Sequence, residues 1–161
     1  PAIDQHGYIY ACPNAPLEVE IGPGPPGFPM VGYSWTPPRS AGTPQDIVRT
    51  EETLERFFAE VMAEHRVPPG RALLMGFSQG AGMTYRCGLR RPDLFAGIIA
   101  LSGGLPEDVK TRLPTQRDMP IFIGHGLDDN PARAQQAQAF LEDEGYAPRY
   151  GEYPMGHEIT Q

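Results

Sequence analysis

Residues 76–80 read Gly-Phe-Ser-Gln-Gly, a spacing that can turn a serine hydroxyl into a nucleophile. In a G-x-S-x-G turn between a buried strand and a helix, the serine is held at the apex in a strained conformation. The flanking glycines remove the Cβ atoms that would otherwise collide there. Before the turn, Ala72, Leu73, Leu74 and Met75 have the unbroken apolar character of a strand buried on both faces. After it, "GAGMTYRCGLR" reads as a helix closed by Arg91 and Pro92. Such a turn aims the helix N-terminus at the serine, so the backbone N–H of Gln79 can donate to a developing oxyanion. The chemistry implied is acyl transfer with Ser78 as nucleophile.

A serine hydroxyl needs a base to take its proton, and the base needs a third group to fix its tautomer. The sequence has four histidines. His6 precedes a predicted strand, and His65 lies at the C-terminal end of an acidic helix, where the helix dipole accounts for it. His125 and His157 remain as bases, and Asp128 or Asp129 as the third group. His125 sits at the same strand end as these acids and reads as a structural loop residue. His125, Asp128 and Asp129 lack a typical metal-ligand pattern; neither a metal nor any other cofactor is expected.

The elements that must position these residues alternate along the chain. "GYIYACP", from Gly7 to Pro13, is β-rich and predicted as a strand. Residues 22–44 hold so many Gly and Pro that a long loop is expected, carrying Phe28, Met30, Tyr33 and Trp35 as a hydrophobic cover or a binding surface. Thr43, Pro44 and Asp46 form a helix start, with Thr43 as N-cap. Ile47, Leu54, Phe58, Val61 and Met62 give the helix an apolar stripe, and Glu51, Glu52, Glu55, Arg56 and Glu60 are expected on the solvated face. Beyond the serine turn come a strand in "AGIIALSGG", a Pro-rich connection, a strand in "MPIFIGHG", a helix in "ARAQQAQAFLEDEG" and a final strand in "PRYGEYP". This is an α/β pattern with a mostly parallel sheet. In that architecture the acid follows a later strand and the histidine lies after the last one, so His157 takes the base's place.

Length and charge narrow the partners. The 161 residues suit one domain spanning 1–161. A formal net charge of −7 opposes binding to nucleic acid or an anionic membrane surface and suits a small-molecule substrate. Cys12 and Cys87 are too few and too far apart for a disulfide framework and are expected as buried free thiols. No stretch resembles a membrane span or a signal peptide, which points to a cytoplasmic home.

Taken together, "GRALLMGFSQGAGMTYRC", "FAGIIALSGGLP", "PIFIGHGLDD" and "YGEYPMGHEI" resemble the phospholipase/carboxylesterase family of α/β-hydrolases, which includes acyl-protein thioesterases. The "PNAP" after the first predicted strand and the tryptophan of "GYSW" extend the resemblance. It implies an α/β-hydrolase fold with Ser78 as nucleophile and His157 as base. The family's acid is the fifth residue of a segment beginning His-Gly, which corresponds to Asp129 rather than Asp128.

The resemblance also implies further N-terminal strands and a glycine-rich loop supplying a second oxyanion donor, and no segment before residue 7 matches them. His6-Gly7 lies on the wrong side of a strand for that role. The expected sheet is therefore shortened, to about five strands. The expectation is an N-terminally incomplete copy of a family member; completion by a partner chain or a cleaved piece, or a shortened protein with another donor, are the alternatives, and the partners allowed are a completing chain or a homo-oligomer. The expected activity is hydrolysis of carboxylic or thio esters through an acyl-enzyme. Met30, Trp35 and Leu105 are candidates for the acyl pocket, and ordinary loop packing explains them equally well. The alternative is a hydrolase-like protein that binds a small molecule without useful catalysis, because loss of one oxyanion donor costs about 10² to 10³ in rate.

Overall fold

The computed structural model describes residues 7–26, 28–38 and 42–159. The chain divides into two compact units, Ile9–Val61 and a second built from Pro1–Tyr8 with Met62–Gln161.

In the Ile9–Val61 unit, β1 (Leu17–Gly22) and β2 (Met30–Ser34) form an antiparallel hairpin that pairs Leu17 with Ser34 and Val19 with Gly32. β2 lies inside the stretch expected to be loop. Its five residues contain no proline, and pairing with β1, whose Leu-Glu-Val-Glu alternates apolar and acidic, outweighs the Gly and Pro on either side. "GYIYACP" forms no strand; Tyr8, Ile9 and Tyr10 are exposed. A β-rich run becomes a strand only where a neighbour supplies the hydrogen-bond ladder. Cys12 is exposed as well, so only Cys87 is the buried thiol expected of both.

Helix α1 (Pro44–Glu64) starts at the predicted cap. Asp46 Oδ2 accepts from the Thr43 N–H at 2.8 Å and from Thr43 Oγ1 at 2.7 Å. Thr50 Oγ1 donates to the Trp35 carbonyl at 2.8 Å and ties the helix to the end of the hairpin. One expectation fails on this helix: Glu51 is 1% exposed, not solvated. Position 51 is four residues after Ile47 and three before Leu54, which places it on the stripe and not opposite it.

The larger unit holds β3 (Ala72–Phe77), α2 (Gln79–Arg90), β4 (Phe95–Leu101), α3 (Glu107–Lys110), β5 (Ile121–Gly126), α4 (Ala132–Asp143) and β6 (Arg149–Tyr153). Among the described residues its sheet has four strands in the order β3-β4-β5-β6, all parallel. The expected fifth strand is absent among the described residues, because "GYIYACP" does not form one. The α/β-hydrolase class holds: α2 packs on β3 and β4, α4 packs on β5, and Tyr85, Leu89, Ile98, Ile123 and Leu141 are fully buried. β3 is an edge strand, and Leu73 and Met75 are 60% and 52% exposed. Its apolar run therefore overstated its burial, since one face lacks the cover that parallel strands usually have.

Helix α2 buries every residue from Met83 to Leu89. Arg86 is among them, and both of its terminal nitrogens reach Asp108 of α3, Nη2 to Oδ1 at 2.6 Å. The Pro-rich connection after β4 thus contains one helical turn that the sequence did not announce. His65 is exposed just beyond α1, and His6 lies outside the described residues.

Candidate active site

β3 ends at Phe77 and α2 begins at Gln79, leaving Ser78 alone between strand and helix. Its backbone sits at φ 55°, ψ −116°, a left-handed conformation that L-residues adopt only under constraint. The constraint is visible on both sides. The Ser78 N–H donates to the Leu101 carbonyl at 2.8 Å, and the Ser78 carbonyl accepts from the Ala81 N–H at 3.1 Å. Gly76 is needed because a Cβ there would lie 2.1 Å from the Gly80 carbonyl oxygen and 2.5 Å from Thr84 Oγ1. Gln79 is the first residue of α2, the place expected of an oxyanion donor.

The loops after β5 and β6 are laced together. The Leu127 N–H donates to the Tyr153 carbonyl at 2.8 Å, and the Asp128 N–H to the Met155 carbonyl at 3.1 Å. A Cβ on Gly126 would lie 2.3 Å from the Met155 oxygen, so glycine permits this approach. The lacing brings Asp129 and His157 together although 28 residues separate them. Asp129 Oδ2 is 2.6 Å from His157 Nδ1, and His157 Nε2 is 2.9 Å from Ser78 Oγ. With its proton on Nδ1 and directed at the carboxylate, the imidazole leaves Nε2 to accept from the serine hydroxyl. The Phe77 ring packs against the imidazole, with centroids 4.8 Å apart. Asp128 contributes its backbone N–H to the loop and is exposed.

Two neighbours of this run, Phe77 and Glu152, escaped the sequence, and a third, His125, was placed in a loop. Phe77 is the hydrophobic backing of His157, and nothing in its type announced that. His125 is in β5 itself rather than in a loop, 3% exposed, with Nε2 3.3 Å from Asp129 Oδ2. Its signal was present: it stands four residues before Asp129. Glu152 of β6 is the register partner of His125. The hydroxyl of Tyr150 donates to Glu152 Oε1 at 2.6 Å, and the Gln135 amide at 2.8 Å. These bonds, with a smaller contribution from His125, hold the Glu152 carboxyl below its ordinary range. The Tyr150 hydroxyl is pushed up to about 12 by burial, then by Glu152.

Of the acyl-pocket candidates, Leu105 is buried in the larger unit, beside Pro106, which packs on Gly82 of α2. Met30 and Trp35 belong to the hairpin unit: Met30 begins β2 and is exposed, and Trp35 follows β2.

Residues 4–161 match the sequence model of the family described as phospholipase/carboxylesterase. The chain belongs to that family. Among its phospholipase/carboxylesterase relatives, a probable carboxylesterase of Oryza sativa subsp. japonica is 30% identical over 94% of this chain and 59% of its own length. An acyl-protein thioesterase 1 homologue of Dictyostelium discoideum is 30% identical over 81% of this chain and 59% of its own length. The chain thus spans about three fifths of the length of these curated relatives. The crystal structure of esterase PE8 superimposes with a TM-score of 0.68 at 30% identity, covering 81% of this chain and 65% of that one. SOBER1 of Arabidopsis thaliana, at 24% identity and a TM-score of 0.67 over 82% of this chain and 69% of that one, shares the fold. Among the described residues, no helix is long and apolar enough to cross a membrane.

Proposed function

We propose that the protein hydrolyses carboxylic or thio esters with Ser78 as nucleophile, His157 as base and Asp129 as the acid that orients it. The observation that carries this reading is the unbroken run from Asp129 Oδ2 through His157 to Ser78 Oγ, with contacts of 2.6 and 2.9 Å, beginning at a strained elbow serine. The printed names of the relatives, a probable carboxylesterase and an acyl-protein thioesterase homologue, support the same class of substrate.

Ser78 Oγ bonds to the acyl carbon while its proton passes to His157 Nε2, and the negative charge goes to the former carbonyl oxygen. Asp129 stabilises the imidazolium without taking its proton. The Gln79 N–H, at the start of α2, donates to the oxyanion. Collapse of the tetrahedral species breaks the bond to the leaving oxygen or sulfur, which takes the proton from His157. Water then attacks the acyl-enzyme by the same route, releasing the carboxylic acid and restoring Ser78. Leu105, buried in the same unit as Ser78, is proposed to contact the acyl chain.

Incubation with a fluorophosphonate probe and a panel of p-nitrophenyl esters of graded chain length tests this reading. The protein is expected to take one label per chain and turn over the esters, and Ser78→Ala to lose both. A wild-type chain that binds esters but ignores the probe would instead be the non-catalytic binding protein, and labelling that survives Ser78→Ala would refute the nucleophile.

A further inference from the structure

Two histidines approach the Asp129 carboxylate, and the ester chemistry proposed above employs one of them. His157 Nδ1 is 2.6 Å from Asp129 Oδ2; His125 Nε2 is 3.3 Å from the same oxygen. His125 is 3% exposed, and neither of its ring nitrogens has a hydrogen-bond partner among the described residues. Burying an imidazole with idle nitrogens is costly, and an apolar residue in that place would avoid the cost. The other acid facing it, Glu152 on the neighbouring strand, is committed through Oε1 to Tyr150 and Gln135. Asp129 Oδ2 is the acid oxygen within ion-pair reach of His125 Nε2, at 3.3 Å.

We propose that His125 is a positioning residue that directs its Nε2–H at Asp129 Oδ2 and holds the carboxylate in line with His157 Nδ1. This rests on the reading of Ser78, His157 and Asp129 given above. The torsion that swings an aspartate carboxylate is broad, so a single donor leaves it free to rock. A second donor from the rigid end of β5 removes that freedom. The separation of 3.3 Å is longer than a charge-assisted hydrogen bond. Hydrogen bonds at catalytic sites often tighten as the reacting complex forms. When His157 takes the proton of Ser78, the carboxylate must already face it, and His125 acts through Asp129 without touching the substrate.

Three variants separate positioning from packing. His125→Gln can place an amide N–H near the imidazole Nε2, His125→Asn carries an amide too short to reach it, and His125→Leu fills the space with no donor. With p-nitrophenyl acetate, His125→Leu and His125→Asn are expected to lose about tenfold to a hundredfold in kcat, with KM within about twofold of wild type. His125→Gln should recover most of that loss. Equal losses in the Gln and Leu variants, or none in either, would overturn the proposal. One readout needs no variant to fold: the ¹⁵N spectrum of the wild-type protein should have a proton on His125 Nε2, and a bare Nε2 would overturn the proposal too. If wild-type protein ignores the fluorophosphonate, the esterase reading fails and this inference falls with it. If wild type is labelled but the variants or the spectrum disagree, His125 alone loses its role.

Discussion

Ser78 combines two demands that conflict in an ordinary folding problem. Its side chain must project from the sheet, and its backbone must sit at φ 55° to let it do so. Such a conformation costs about 1–3 kcal/mol in a residue that carries a Cβ, and glycine escapes most of it. Replacing alanine by glycine elsewhere usually destabilises, by about 0.4–1 kcal/mol through the entropy of the unfolded chain. At position 78 the strain outweighs that entropy. Ser78→Gly is therefore expected to be more stable than Ser78→Ala by about 1 kcal/mol, with both variants lacking the hydroxyl and its contact to His157. Urea denaturation of the two variants measures the difference directly, and an alanine variant as stable as the glycine variant would mean that the elbow is unstrained. The sequence made this residue legible because glycines at 76 and 80 have few other uses at that spacing. It left Asp128 and Asp129 open on residue type alone, since what separates them is the direction in which the turn after β5 points each carboxylate. The backbone bond from Asp128 to Met155 sets that direction and is written in no local pattern.

Helices and strands set the precision of the site, and the clearest test at this scale concerns the grip of α2 on the connection after β4. Arg86, buried in α2, is matched by Asp108 in α3, and Arg112 adds a contact to the same carboxylate at 2.7 Å. The hydrogen bonds from Arg86 hold the Asp108 carboxyl below its ordinary range against the opposing effect of burial, with the charges of Arg86 and Arg112 assisting. A carboxyl depressed on folding stabilises the protein fully above its unfolded value, about 3.9. That contribution fades as pH falls through the lower folded value. Asp108→Asn should thus cost about 1 kcal/mol at neutral pH, kept small by water at the half-exposed carboxylate, and the gap from wild type should close below about pH 4. Denaturation midpoints across that range would test it, and a gap independent of pH would count against the ionic account. This pairing is not legible in the sequence, because Arg86 and Asp108 stand 22 residues apart with no local pattern that links them. The helices at 44–64, 79–90 and 132–143 and the strands β3 to β6 were legible, because period, caps and punctuation agreed. The hairpin β1–β2 was not: its second strand depends on a partner rather than on its own Gly- and Pro-rich surroundings. Glu51 was misplaced for the related reason that residue type was allowed to overrule helical position.

At the scale of the molecule, the order of the sheet has a consequence for solution behaviour. Among the described residues β3 pairs with β4 alone, so its other side is an edge, and Leu73 and Met75, on one face of the sheet beside that edge, are 60% and 52% exposed. Parallel strands are normally covered on both faces, and an uncovered apolar edge is a template for another strand. The formal net charge of −7 opposes such contacts between copies. That repulsion weakens with ionic strength, because the screening length falls from about 30 Å at 0.01 M to about 8 Å at 0.15 M. The chain is therefore expected to associate more strongly as salt and protein concentration rise together, opposite to the behaviour of contacts made through charge. Replacing Leu73 and Met75 together by threonine keeps the net charge and the β-propensity while removing the apolar surface. The double variant should stay monomeric under salt conditions where wild type associates, and its stability should change little, since exposed substitutions usually fall within about 0.5 kcal/mol. Light scattering across a salt series distinguishes the outcomes: association that persists in the double variant, or that weakens with salt in the wild type, would place the contact on a charged surface instead of the β3 edge.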